Sequence, residues 1–175
     1  MRSIDITGKR NIDKIRNVKN PERKETIKWK LDDSYFTYNK QIQIINSLYL
    51  NQGCDQNQDQ NILAKREISK KINGYKSQDI QKELLDLNRL ISLDQTIEKL
   101  MVSKLKCFYC KEICELLYKN TLAKKQWTLD RLNNEYGHNY DNVVICCLEC
   151  NIKKGEMDSD RFKQGKEIKI IRKLV

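Results

Sequence analysis

Long apolar runs, aromatic residues and histidine are all scarce in this sequence. Its longest uninterrupted apolar stretch is VVICCL, residues 143–148, far too short to span a bilayer, so no membrane association is expected. Aromatic residues make up 7% and apolar residues 39% of the 175, which suffices for one modest core and not for a large one. The opening MRSIDITGKR lacks the apolar segment of a secretory signal. The chain is therefore expected to be intracellular, in cytoplasm or nucleus, and not secreted. Acidic residues are the scarcer charge: 24 Asp and Glu against 34 Lys and Arg give a formal net charge of +10 and a pI near 9.2. That balance favours a polyanionic partner, most simply nucleic acid, over the plainer reading of a solvated lysine-rich surface only slightly or not at all. No internal repeat is present.

The excess charge begins at the start. Residues 1–30 hold ten Lys or Arg against four Asp or Glu. Residues 1–60 read as a basic, partly low-complexity extension. Within it, YFTYNKQIQII (35–45) is rich in aromatic and β-branched residues and reads as a strand-like fragment with poor alternation. NQGCDQNQDQN (51–61) reads as a linker or exposed loop, with Cys54 as a free thiol. Residues 61–103 form a helical segment. ILAKREISKKI (62–72) carries Ile68 and Ile72 four apart, and the Asn73-Gly74 pair is expected to end it. Ser77 then caps a second helix in which Ile80, Leu84, Leu87 and Ile91 share a face. Ser92 and Gln95 make a capping-box pattern opening a third helix, with Ile97, Leu100, Met101 and Leu105 facing inward. These stripes read as core; a partner-binding face in a larger assembly is the other use for them.

Seven cysteines in a reducing compartment more often bind metal than form disulfides when they come in pairs. Two pairs share one spacing, Cys107-Phe-Tyr-Cys110 and Cys147-Leu-Glu-Cys150. Two residues between cysteines let both thiolates of a knuckle face one ion, and two knuckles complete a tetrahedral Zn²⁺ site. Cys114 is a competing ligand candidate, and Cys146 ends an apolar run where packing is its expected task. Between the pairs, WTLD reads as a strand with Trp127 and Leu129 on one side and Thr128 and Asp130 on the other. NNEYGHNYD is turn-rich with Gly137 as its pivot, NVVIC is a second strand, and a helix starts at Leu148. The fold class is α+β: a small zinc-stapled ββα unit over residues 104–165, behind the helical segment and the basic extension, with a basic tail at 166–175.

The stretch 104–163 resembles an HNH nuclease domain of the ββα-metal group, in the four-cysteine form found in phages and large DNA viruses. The resemblance rests on Leu129-Asp130-Arg131, Asn133-Asn134, Gly137, Asn142-Val143-Val144 and Cys147 to Asn151, and on DSDRF at 158–162 as the start of a closing helix. It covers about a third of the chain. It implies an endonuclease hydrolysing DNA phosphodiester bonds with a catalytic Mg²⁺ or Mn²⁺ beside the structural zinc. By the same resemblance Asp130 and Asn151 match the ligands of that catalytic ion, and Asn142 matches the residue bracing the loop that holds the general base. Arg131 stands where the base histidine is usual, and there the sequence departs from the pattern.

The chemistry of the residues agrees with these roles. A hard divalent ion takes oxygen ligands and keeps several waters, so one carboxylate and one carboxamide suffice to hold it. Lys153 and Lys154 beside Asn151 read as contacts to backbone phosphates. Taken singly, Asp130 reads equally as a salt-bridge partner and Asn151 as a helix cap. Arg131 has no lone pair to accept a proton at neutral pH, though its fork suits a phosphate. His138, with an ordinary pKa of about 6.5, is one candidate for the missing base and water held by the metal is another. A zinc-containing module that binds nucleic acid with weak or no catalysis is the alternative function.

Overall fold

In the computed structural model the described residues are Ile12, 31–50 and 58–168. The basic residues 1–30, Cys54 and the end of the tail lie outside them, apart from Ile12. Helix α1 (Tyr38–Tyr49) follows a 3₁₀ turn at Asp33–Phe36 whose cap is Asp32. It is succeeded by α2 (Gln58–Gln81), α3 (Leu93–Val102), strand β1 (Trp127–Arg131), strand β2 (Val143–Cys147), α4 (Leu148–Lys154) and α5 (Ser159–Glu167). The architecture is α+β with a two-stranded antiparallel sheet, in which Trp127 pairs with Cys147, Leu129 with Ile145 and Arg131 with Val143. No helix among the described residues is long and apolar enough to cross a membrane.

The strand expected at 35–45 is a helix. Gln41, Ile44, Ile45 and Leu48 are buried at i, i+3, i+4 and i+7, the spacing of one helical face. A glutamine in that stripe hid the period. Its burial is explained by two hydrogen bonds: Gln41 Nε2 donates to Leu117 O (3.0 Å) and its Oε1 accepts from Leu116 N (2.6 Å). The side chain thereby satisfies the backbone of a loop from the other half of the chain.

The helical segment is also divided differently from expectation. The linker reading of 51–61 fails for 58–61, which open α2. That helix continues through Asn73 and Gly74 to Gln81, because its buried stripe runs on: Ala64, Ile68, Ile72, Tyr75 and Asp79. Ser77 caps nothing. It lies inside α2 and its hydroxyl donates back to Asn73 O (3.0 Å). The helix expected over 78–91 stops at Gln81; residues 82–91 are turns and irregular backbone with a bridge from Leu90 to Asn139, Glu83 has φ +58°, and Ile80 and Leu87 are exposed. The backbone bonds of this stretch go elsewhere: Ile91 N donates to His138 O (2.9 Å) and Arg89 O accepts from Tyr140 N (3.1 Å). A helix there would have taken those groups away from the loop after β1.

Helix α3 has both halves of its capping box, Gln95 N to Ser92 Oγ and Ser92 N to Gln95 Oε1. Ile97 and Leu100 are buried, and so is Leu105 just beyond the helix. Helices α1, α2 and α3 pack on one another, while α4 packs on both strands. One continuous apolar cluster runs from Ile45 and Ile68 through Leu100 and Leu105 to Trp127, Leu129 and Ile145. All five residues of β1 are buried, since it is covered on both faces. At the end of the described chain, Asp158 Oδ1 caps α5 by accepting from Arg161 N (2.9 Å), and Phe162 meets the ring of Tyr109 edge-on.

Candidate functional site

The first part of the site is the cysteine cluster. One donor atom from each of Cys107, Cys110, Cys147 and Cys150 lies within 4.8 Å of every other. Cys110 Sγ and Cys147 Sγ are 3.9 Å apart, which excludes a disulfide and fits the edge of an S₄ tetrahedron, about 3.8 Å for Zn–S bonds of about 2.3 Å. Local turns aim the thiols. Cys147 caps α4, its Sγ accepting from Cys150 N at 3.4 Å, and Phe108 N donates to Ile145 O (2.9 Å), fastening one knuckle to β2. Contacts with Cys114 and Cys147 hold the Cys107 thiol far below its ordinary value, and the same contacts hold Cys114 and Cys147 far above theirs. Four thiols in so small a space do not all ionise without a cation between them. The donors therefore fit a structural metal such as zinc. Cys114 is fully buried beside Cys107, and Cys146 is buried with its sulfur 3.1 Å from Thr128 Oγ1.

The second part is a cleft of about 850 Å³ between α2, β1, the 134–138 loop and α4. Asp130, Arg131, His138 and Asn151 all line it, and so do Lys71, Tyr75 and Lys82 from α2. Asp130 is buried, and its Oδ2 accepts from Tyr109 Oη (2.5 Å) and lies 3.3 Å from Lys154 Nζ. Burial, together with the bond to Asp130, pushes the Tyr109 phenol well above its ordinary value and keeps it a donor. Asn151 Nδ2 donates to Thr128 Oγ1 and Leu129 O, both at 3.1 Å. Its amide oxygen is left as the end able to meet a cation.

The two lysines expected to share phosphate contacts are separated. Lys153 is exposed and paired with Glu149 one turn away (2.7 Å). Lys154 is buried; its ammonium reaches Arg131 O (3.0 Å) and Asp130, so it faces the interior instead of phosphate. Arg131 holds the loop, with Nη1 donating to Tyr136 O at 3.1 Å. Asn142 ties the same loop together: its Nδ2 donates to Asn133 O (2.9 Å) and Gly137 O (3.0 Å), and its Oδ1 accepts from Asn133 N (3.0 Å).

His138 is not a surface loop residue. Its Nδ1 is 2.7 Å from Asp79 Oδ1, its backbone N donates to Asp79 Oδ2 (2.6 Å), and its ring stacks on Tyr75 at 4.5 Å. Burial lowers its pKa below the ordinary imidazole value, and Asp79 opposes that without cancelling it. Asp79 and Tyr75 escaped the sequence reading. Both continue the Ala64, Ile68, Ile72 stripe, but across the Asn73-Gly74 pair that reads as a helix end. Lys71, one turn earlier, was also missed. Its ammonium bonds to Trp127 O and to Gln126 Oε1 (3.1 Å), lies over the Trp127 ring, and has its pKa lowered to about 7 by burial.

No protein-family model matches this sequence, and no solved structure matches it. An uncharacterised protein of Acanthamoeba polyphaga mimivirus is 35% identical over 94 residues, which is 54% of this chain and 15% of the viral protein. The chain thus spans under a sixth of the length of that relative.

Proposed function

We propose that this protein is an HNH-like endonuclease that hydrolyses DNA phosphodiester bonds, held together by a structural Zn²⁺ on Cys107, Cys110, Cys147 and Cys150. The observation that carries the reading is the convergence of Asp130, Asn151, Arg131 and His138 on one cleft beside the cysteine cluster. Asp130 and Asn151 would hold Mg²⁺ or Mn²⁺, which when bound polarises a phosphoryl oxygen and stabilises the leaving 3′ oxygen. Arg131 also lines the cleft, and a guanidinium suits a phosphate. His138 lines the same cleft, and an imidazole can accept a proton that a guanidinium cannot. The net charge of +10 supports a nucleic-acid partner through phosphate contacts that do not depend on sequence.

The test is nicking of supercoiled plasmid with and without Mg²⁺ or Mn²⁺. Ion-dependent nicking that Asp130→Ala abolishes, with zinc content unchanged by elemental analysis, supports the reading. Equal nicking by parent and Asp130→Ala overturns it. One observation favours a second reading, a zinc-containing module that binds nucleic acid without cutting it. The Lys154 ammonium at 3.3 Å already balances Asp130 and competes with a divalent ion for it. Salt-sensitive DNA binding with no nicking under any divalent ion selects that alternative.

A further inference from the structure

Helix α2 lies outside the ββα unit, yet it sends a buried carboxylate to the base candidate. Asp79 is 1% exposed and uses both oxygens on one residue, Oδ1 on the His138 ring and Oδ2 on the His138 backbone. A carboxylate only accepts hydrogen bonds, so His138 Nδ1 must carry the proton. The lone pair of the neutral ring is then on Nε2, which has no hydrogen-bond partner among the described residues. The groups around the ring are Asp79 and Tyr75 from α2 and Asp130 and Arg131 from β1. Tyr75 stacks on the ring and is itself held by Leu129 N donating to its hydroxyl (2.9 Å), so the ring plane is fixed relative to β1. Approach this close requires glycine before the histidine. A Cβ on residue 137 would sit 2.6 Å from Leu84 O and 2.8 Å from Asp79 Oδ2.

We propose that Asp79 is the positioning residue of the cleft: it fixes His138 in the tautomer whose Nε2 takes the proton of the attacking water. The proposal rests on the endonuclease reading above for its chemistry. The water oxygen forms the new P–O bond as its proton passes to Nε2. The P–O3′ bond breaks, and the leaving oxygen takes a proton from solvent. The imidazolium formed is stabilised by Asp79 and returns its proton to solvent. The catalytic unit is then larger than the ββα fold, because the residue that sets its base comes from the preceding helix.

The single histidine makes the test direct. Histidine-selective ¹⁵N labelling of the full chain gives one pair of ring signals, read without turnover. The expected parent spectrum at neutral pH shows Nδ1 protonated and Nε2 unprotonated, and Asp79→Asn shifts the ring toward the other tautomer. In nicking assays Asp79→Asn is expected to lower kcat on the order of 10²–10⁴-fold with KM nearly unchanged. His138→Gln should lose as much while keeping zinc. Parent activity should fall as pH drops through the imidazole pKa. A parent ring protonated on Nε2 overturns the proposal, and needs no variant to fold. So does Asp79→Asn nicking at the parental rate. A parent with the expected tautomer that nicks under no divalent ion overturns the endonuclease reading and leaves the tautomer assignment supported.

Discussion

The cysteine cluster and the cleft lie side by side but are held in opposite ways. The cluster is built from two local pieces: each knuckle is a turn, with two residues between each cysteine and its mate. Its donors suit a cation. The cleft is built from afar. Its histidine is gripped by Asp79 from 59 residues earlier, and Asp130 is paired with Lys154 from the helix after β2; only the brace of Asn142 on its loop is local. A local staple fails when its ion is lost; a long-range site fails when any one remote side chain is lost.

Breaking the staple should have the largest effect. Cys107→Ser, or a strong chelator, is expected to unfold residues 104–163, because binding free energy at a structural zinc site is folding free energy. Circular dichroism and zinc content before and after chelation check this; a metal-free chain with unchanged spectra and melting would refute it. Next is the brace. Asn142→Ala removes three hydrogen bonds of 3.0 Å or less and leaves loop carbonyls unpaired, for roughly 2–4 kcal/mol in urea unfolding. The two glycines sharpen the contrast further. Gly137→Ala drives a Cβ into Leu84 O and Asp79, and roughly 1–3 kcal/mol of destabilisation is expected. Gly74→Ala meets nothing within 4 Å in mid-helix, so a gain of about 0.4–1 kcal/mol is expected. Matched melting curves should move in opposite directions.

The smallest effect is with pH. The folded-state pKa of His138 is lowered, so the stability linked to it is present above the unfolded pKa of about 6.5. It is lost as pH falls through the lower folded value, where the buried ring must charge. Stability measured from pH 7 downward should decline over that window in the parent and decline less in His138→Gln.

The same contrast explains what could be read from the chain. The paired cysteines, the two strands, the helix at Leu148 and the cap at Ser92 depend on neighbours in sequence, and each stands where its spacing puts it. Helix α1 was misread because its aromatic and β-branched residues read as a strand, and α2 was split because Asn73-Gly74 reads as a stop; in each, one polar residue, Gln41 or Asp79, stands on the buried face. Each is buried to satisfy polar groups about 60 to 75 residues away, which no local period encodes. Lys154 was read as a phosphate contact because two adjacent lysines look alike in sequence. On a helix they point about 100° apart, and only Lys153 faces out.

A two-stranded sheet ordinarily leaves two open edges, each a template on which another chain can form a further strand. The outer edge of β1 is closed by side chains instead. Lys71 donates to Trp127 O, Tyr75 accepts from Leu129 N, Asn151 donates to Leu129 O and Lys154 donates to Arg131 O. The floor of the cleft is therefore a strand edge whose polar groups are met by side chains. Three of these residues, Lys71, Tyr75 and Asn151, line the cleft and also keep copies of this sheet from joining edge to edge, so substitutions made there to probe chemistry should be monitored for self-association as well as for activity.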